Sequence, residues 1–409
     1  MTSPAGGAQG APSGCVGAYL ELGLALGRHV QGLVDAYYGP PDLAGRIAAE
    51  PVRPPARLVE EARRLLADLE AGAPLDADPA QDEPARRAWL EGQVRGLHTT
   101  ARRLAGEDIA FEDEVEQCYA VRPRPVPEDA IAAAHKDLDA ALPGDGPLPE
   151  RLIAWREAQA VPVDVLPSAI ASLADDLRER TSALFGLPEG ERVDFELVNK
   201  RPWSGFNWYL GGLRSRVEIN TDLPVLATSL AHLVAHEAYP GHHTEHTRKE
   251  ARLVRRHRRL EETIFLVGTP EATVSEGLAD LGLEVVVGRR PEAMVAEHLR
   301  PLGIRYDAEV VAAVSEAGQL LSDARGNAAL RLHAEGADPD AVVDELARWA
   351  LLPRPRAAKA VEFLVHPTWR AYVFCYIEGL RACRRFADGD AAKFQRLVTE
   401  QLTPHDLGA

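Results

Sequence analysis

Little in this 409-residue sequence would serve a disulfide-stapled, membrane-spanning or nucleic-acid-binding protein. It holds four cysteines, Cys15, Cys118, Cys375 and Cys383, whose spacing fits neither a disulfide framework nor a zinc knuckle. Cys375 and Cys383 stand in one helical stretch, too far apart along its axis to bond each other. No segment approaches the roughly 20 apolar residues that a membrane span needs. Met1 to Gly14 lacks the basic start and apolar middle of a signal peptide. Cys15 is therefore not expected to carry a lipid, and a cytoplasmic protein is expected. Basic runs are missing as well: the net charge is -16, and only five of the 46 basic residues are Lys. Neither nucleic acid nor a membrane is an expected partner, because both call for a concentrated cationic surface. Nothing in the sequence speaks to oligomeric state.

What is present is a globular composition, 46% hydrophobic and 26% charged. Residues 1–13, rich in Gly, Ala, Ser and Pro, read as a disordered tail. The remainder, 14–409, reads as one domain with an N-terminal helical part, 14–142, and a catalytic part, 148–409. Between the parts lies the loop Leu142 to Pro147, and composition is alike on both sides of it. Apolar residues recur at helical spacing from Val16 to Tyr38, through Leu58 to Leu69, and over 86–104. Strand-like alternation follows in Val193 to Val198 and in Arg216 to Asn220. The aromatic, Gly-rich stretch Trp203 to Gly212 connects them, as in a hairpin or small sheet. From Leu223 helix predominates almost to the end. The expected class is mainly α, of the α+β kind, with a small β-sheet beside a metal-binding helix.

That helix is expected to open at Asp222, an N-cap acceptor, with Pro224 in its first turn. Leu226, Leu230, Leu233 and Val234 form its apolar stripe, and it delivers His236-Glu237-Ala238-Tyr239-Pro240-Gly241-His242-His243. The metalloprotease motif H-E-x-x-H sets two imidazoles and a carboxylate on one helical face. Here Pro240 occupies the second histidine's place, and removing Pro240-Gly241 would restore the motif with His242. On an unbroken helix His242 would be rotated by about 240°, and His243 would lie about 10 Å further along the axis. The helix must therefore bulge or end at Tyr239. Pro240 lacks an N–H to continue it, and Gly241 permits the return. Adjacent histidines also suit the negative end of a helix dipole, but the His-Glu pair ahead of them has no such explanation.

A hydrolytic zinc site needs a third protein ligand and a position open to water. Glu276 and Asp280 share a face, at i, i+4, of a helix begun at Pro270. Glu276 can be the third ligand, with His243 as the alternative to His242 for the second. Asp280 can hold a ligand histidine through the imidazole N–H that is not on the metal. A plain solvated acidic face is the alternative for this pair.

His236 to His243, followed by Glu276-Gly277-Leu278-Ala279, resembles domain-of-unknown-function family 885 over roughly residues 190–385. The family's H-E-x-x-P-G-H-H signature is highly specific. Where it has Trp and then Tyr after Glu-Gly, Leu278 and Asp280 stand here. Its C-terminal Tyr-x-x-Gly is matched by Tyr376 to Gly379, and an Arg followed by His is similar to Arg325 and His333. The resemblance implies a gluzincin-type metallopeptidase shaped like the helical oligopeptidases. Glu237 would then be the general base, with Tyr376, Tyr372 or His333 donating to the oxyanion. From its own pattern, the strand Arg216 to Asn220 suits either a sheet edge that pairs with a peptide or a plain sheet edge. Two other readings stand beside it: a hydrolase of a small amide or ester, and a non-catalytic zinc-binding protein with both His242 and His243 engaged.

Overall fold

The computed structural model describes residues 12–78, 83–201 and 203–409, so the expected tail lies outside them except for Pro12 and Ser13. Three apolar clusters organise the chain. The first packs helices Gly14–Gly27, Pro55–Glu70 and Pro84–Leu104 around Leu20, Leu58, Leu65, Trp89 and Leu97. Helix Pro55–Glu70 begins on a proline whose missing N–H costs nothing there, and it buries Leu58, Ala62, Leu65 and Leu69 as one stripe. A second cluster joins helix Leu166–Phe185 to the small sheet and to the helices that carry the His-Glu motif and Glu276. The third gathers helix Phe111–Tyr119 and the C-terminal helices around Tyr372, Phe374 and Cys375. Among the described residues no helix is long and apolar enough to cross a membrane.

The helical reading of Val16 to Tyr38 is corrected over its second half. The helix stops at Gly27, and Val34–Tyr37 forms strand β1. Gly32, at φ 81°, lies in the turn that follows, and a Cβ on Gly27 would lie 2.6 Å from Val34 Cγ2 where the chain doubles back. Val34 and Tyr37 then suit a pleated surface.

Arg192–Val198 is β2, Gly205–Gly211 is β3, Arg214–Asn220 is β4 and Ile264–Leu266 is β5. β1 pairs antiparallel with β5, while β4 lies between β2, its parallel neighbour, and β3, its antiparallel one. Two expectations change here. The aromatic connection is itself a strand, turned into β4 through Gly211 and Gly212 at φ 69° and 66°. Arg216 to Asn220 belongs to the central strand, paired on both sides, and cannot offer an edge to a peptide.

The helix of the motif spans Ala227–Glu237 and is called the imidazole helix below. It does not open at Asp222: Leu226 precedes it without side-chain capping. Asp222 Oδ2 accepts instead from the backbone N–H groups of Lys200 and Arg201, at 2.7 and 3.3 Å. A good capping residue has been taken by a neighbouring loop.

Candidate metal centre

The imidazole helix buries Leu230, Ala231, Val234 and Ala235 against the core and ends at Glu237. After the cis Tyr239–Pro240 bond the chain folds back, and Gly241 N–H donates to Ala235 O at 2.9 Å. A Cβ at Gly241 would lie 1.9 Å from His236 O, so glycine alone permits this return. A new helix, His242–Lys249, starts at once. His242 Nε2 thereby comes within 3.1 Å of His236 Nε2. Helix Pro270–Val287, the carboxylate helix, supplies Glu276 Oε2 at 3.3 Å from His236 Nε2 and 3.8 Å from His242 Nε2. Tetrahedral zinc with Zn–N and Zn–O bonds of 2.0–2.1 Å separates its ligand atoms by about 3.3–3.4 Å. The trio matches that triangle.

Hydrogen bonding leaves each of the three atoms bare. His236 Nδ1 lies 2.8 Å from Asp280 Oδ1, an acceptor, so the imidazole proton belongs on Nδ1. Ser275 Oγ donates to Glu245 Oε2 at 2.5 Å and so accepts from His242 Nδ1 at 3.1 Å. Tyr372 Oη donates to Glu276 Oε1 at 2.6 Å, while Glu276 Oε2 is buried without a partner. Three lone pairs thus face one another in a buried space, a donor set that could hold a cation. Burial opposes a charge on His236, but the carboxylates of Asp280 and Glu276 lift its pKa well above the usual imidazole range. For Asp280, burial is outweighed by His232 and His236, which hold its carboxyl well below the usual carboxylate range. His232, His236 and Asp280 also form a possible ligand group. Its His236 Nδ1–Asp280 separation of 2.8 Å is a hydrogen bond, shorter than two donors on one ion would stand.

Glu237 is 6% exposed, and its carboxylate has no hydrogen-bond partner among the described residues. Burial raises its pKa, against the lowering effect of His236 and His242, so this carboxylate readily takes a proton. Gly205 of β3 leaves room for it, since a Cβ there would stand 3.0 Å from Glu237 Oε1. Asn207 Nδ2 donates to the Glu237 backbone carbonyl at 2.6 Å.

The other expected residues separate. Tyr376, on helix Val373–Ala387 (the tyrosine helix), stacks on His236 with ring centres 6.4 Å apart. Tyr372 is at the centre, but its hydroxyl is committed to Glu276. His333 is not brought to it: Nε2 meets Leu364 O at 2.7 Å, and the ring packs on Phe111. Arg325 Nε turns to Ser322 O at 3.3 Å. His243 is fully buried with both nitrogens spent, Nδ1 on Ser215 Oγ and Nε2 on Glu191 Oε2, each at 2.8 Å. It fastens the break to the sheet region, and the alternative second ligand is withdrawn. Sequence reasoning missed Ser275, Glu245 and His232. Only His232, one turn before His236, had a readable spacing.

No family model matches the chain, and no curated protein matches it. A crystal structure of a candidate lipoprotein from Colwellia psychrerythraea superposes at TM-score 0.49 and 14% identity, over 86% of this chain and 65% of its own. A second structure, of a candidate lipoprotein of unknown function from Shewanella oneidensis, gives TM-score 0.45 and 13% identity, over 85% and 72%. This chain therefore spans less than two thirds of the first of these proteins.

Proposed function

We propose that the protein is a zinc-dependent hydrolase that cleaves peptide bonds, with His236, His242 and Glu276 as ligands and Glu237 as general base. The observation that carries this reading is three bare donor atoms 3.1 to 3.8 Å apart, beside a buried carboxylate that ligates nothing. A bound zinc ion would supply a Lewis acid for the scissile carbonyl and acidify water toward pKa about 7. Glu237 takes the proton of the attacking water and passes it to the leaving amine. Tyr376, whose pKa is pushed well above the usual phenol range by burial and then by Glu276, keeps its proton and can donate to the oxyanion. Asp280, Ser275 and Tyr372 hold the ligands in the orientation that presents their bare atoms.

A peptide is the favoured substrate because β3 has a ladder partner on one side only among the described residues, and it runs beside Glu237. A closed structural site is disfavoured, since the fourth ligand it would recruit, His243, is spent elsewhere. The test is metal analysis paired with peptide-library digestion by wild type and Glu237→Gln. About one zinc per chain is expected in both, with turnover falling by about 10²–10⁴-fold in the variant. Protein that holds no zinc when supplied with it, or a Gln variant as active as wild type, would overturn the proposal.

A further inference from the structure

Away from the ligand trio, helices Pro84–Leu104 and Phe111–Tyr119, the turn after the first helix and residues 367–371 enclose a cavity of about 110 Å³. Val30, Leu33, Leu104, Val267, Pro367 and Ala371 make its apolar wall. Gly268, at φ 89°, keeps one side clear, since a Cβ there would stand 3.4 Å from Thr100 Oγ1 and 3.8 Å from Leu33 Cδ1. Among the described residues that line the space, only Arg103 and Glu114 are charged.

The polar groups around the cavity are unevenly spent. Glu114 is 2% exposed, and both of its oxygens are taken. Oε1 accepts from Arg103 Nη1, and Oε2 accepts from Arg370 Nε and Nη2 at 3.1 and 2.6 Å. The Thr100 and Thr368 hydroxyls donate to the carbonyls of Gly96 and Gln31, at 3.1 and 3.2 Å. The donors left over belong to Arg103, which engages Glu114 through Nη1 alone, and to Tyr119. The Tyr119 hydroxyl makes no hydrogen bond among the described residues, although the residue is 3% exposed. Two guanidinium groups share one carboxylate, so this corner carries a positive charge in excess. A buried hydroxyl without a partner is costly until one arrives.

We propose that the cavity binds a small aliphatic carboxylate, its oxygens on the Arg103 fork and the Tyr119 hydroxyl and its chain against Leu33, Leu104 and Val267. A guanidinium presents its N–H groups in a fork that matches a carboxylate. An ammonium ligand would bring donors and a positive charge to a wall that already supplies both. Size sets the chain: an apolar cavity of about 150 Å³ holds benzene, so this smaller one takes a molecule of roughly four carbons. The inference does not depend on the hydrolase reading. The site is nonetheless one ring removed from the candidate metal centre, because Tyr119 meets Tyr372 edge-on at 6.0 Å and Tyr372 holds Glu276.

The test measures binding alone. Isobutyrate and its neutral counterpart isobutyramide are titrated into the protein, with and without added zinc, and followed by ligand-observed NMR. Wild type is expected to bind the acid roughly tenfold or more tightly than the amide. Tyr119→Phe removes a hydroxyl that bonds to nothing, so its melting temperature should hold while isobutyrate binding weakens by roughly tenfold. Arg103→Met should abolish the preference for the acid, and if it fails to fold, Tyr119→Phe decides. His236→Ala, in which the ligand trio is broken, should bind isobutyrate as wild type does. Binding lost in that variant would put the carboxylate on the ion and overturn the proposal. Equal binding of acid and amide by wild type, or an unchanged affinity in Tyr119→Phe, overturns it as well. Protein that takes up no zinc would end the hydrolase reading and leave this comparison intact.

Discussion

Adjacent residues His242 and His243 meet different partners, and the difference separates metal binding from stability. His242 leaves one nitrogen bare beside His236 and Glu276, whereas His243 bridges Ser215 and Glu191 in the interior. Glu191 also receives the Tyr239 hydroxyl at 2.7 Å and the Arg178 guanidinium at 2.6 Å. Burial works against its charge, but these hydrogen bonds hold its pKa at about 2. We expect His236→Ala and His242→Ala to abolish zinc retention, as measured by metal analysis after gel filtration. His243→Ala should keep its zinc and lose about 1–3 kcal/mol in denaturant melts, the cost of leaving buried polar partners unsatisfied. Zinc lost from His243→Ala at unchanged stability would contradict this division. The sequence made His242 legible because Pro240-Gly241 explains how a displaced histidine returns to a ligand motif. The role of His243 was not legible, because a helix restarted after a break has no fixed rotation relative to the one before. Strand β1 was hidden more deeply, since the apolar spacing from Val16 to Tyr38 continued a helical pattern past the turn that holds Gly32.

Among the elements, the carboxylate and tyrosine helices cross where two glycines remove all side-chain bulk. A Cβ on Gly277 would stand 2.2 Å from Gly379 O, and one on Gly379 2.3 Å from Thr273 O. This approach lets Tyr372 reach Glu276 and Tyr376 reach His236. We expect Gly277→Ala to wedge the helices apart, costing about 1–3 kcal/mol or more as overpacking and weakening zinc affinity in competition with a chelator. A variant with wild-type stability and affinity would show that the crossing does not position the centre. Both glycines fall within motifs visible in the sequence, Glu276-Gly277 and Tyr376 to Gly379, but their purpose appears only when the helices are packed. The same limit explains β3: Phe206, Trp208 and Leu210 alternate with Asn207 and Tyr209, yet flanking glycines made the stretch look like a connection. Asp222 misled for the opposite reason. It satisfies the local rule for a helix start, and a tertiary contact claims it. The class of the fold was legible because the helical stripes are long and repeated, while strand order depends on contacts that no local pattern encodes.

At the scale of the whole molecule, an interior network of charges lies behind the candidate metal centre. Lys249 contacts Glu245 and Glu271, each at 2.9 Å, and Arg86 contacts Glu261 at 2.6 Å and Asp76 at 2.8 Å. Glu245 reaches His242 through Ser275. Burial, and then the charge of Glu271, raise the pKa of Glu262 to about 8. An unfolded glutamate titrates near 4.3, so the folded state binds this proton more tightly. The stability it contributes is complete below about pH 4.3 and is lost as pH rises through about 8. Glu262→Gln should therefore gain stability relative to wild type between pH 5.5 and pH 8.5, as measured by urea melts at both values. A difference that does not grow with pH would place the Glu262 proton elsewhere. The ladder between β1 and β5 has a bearing on the order of events during folding. His236, His242 and Glu276 belong to one continuous stretch of sequence, but Val34 finds Leu266 only after more than half of the chain has closed into a loop. Long closures come late. A refolding chain can thus bring the three proposed ligands together while β1 has not yet joined β5.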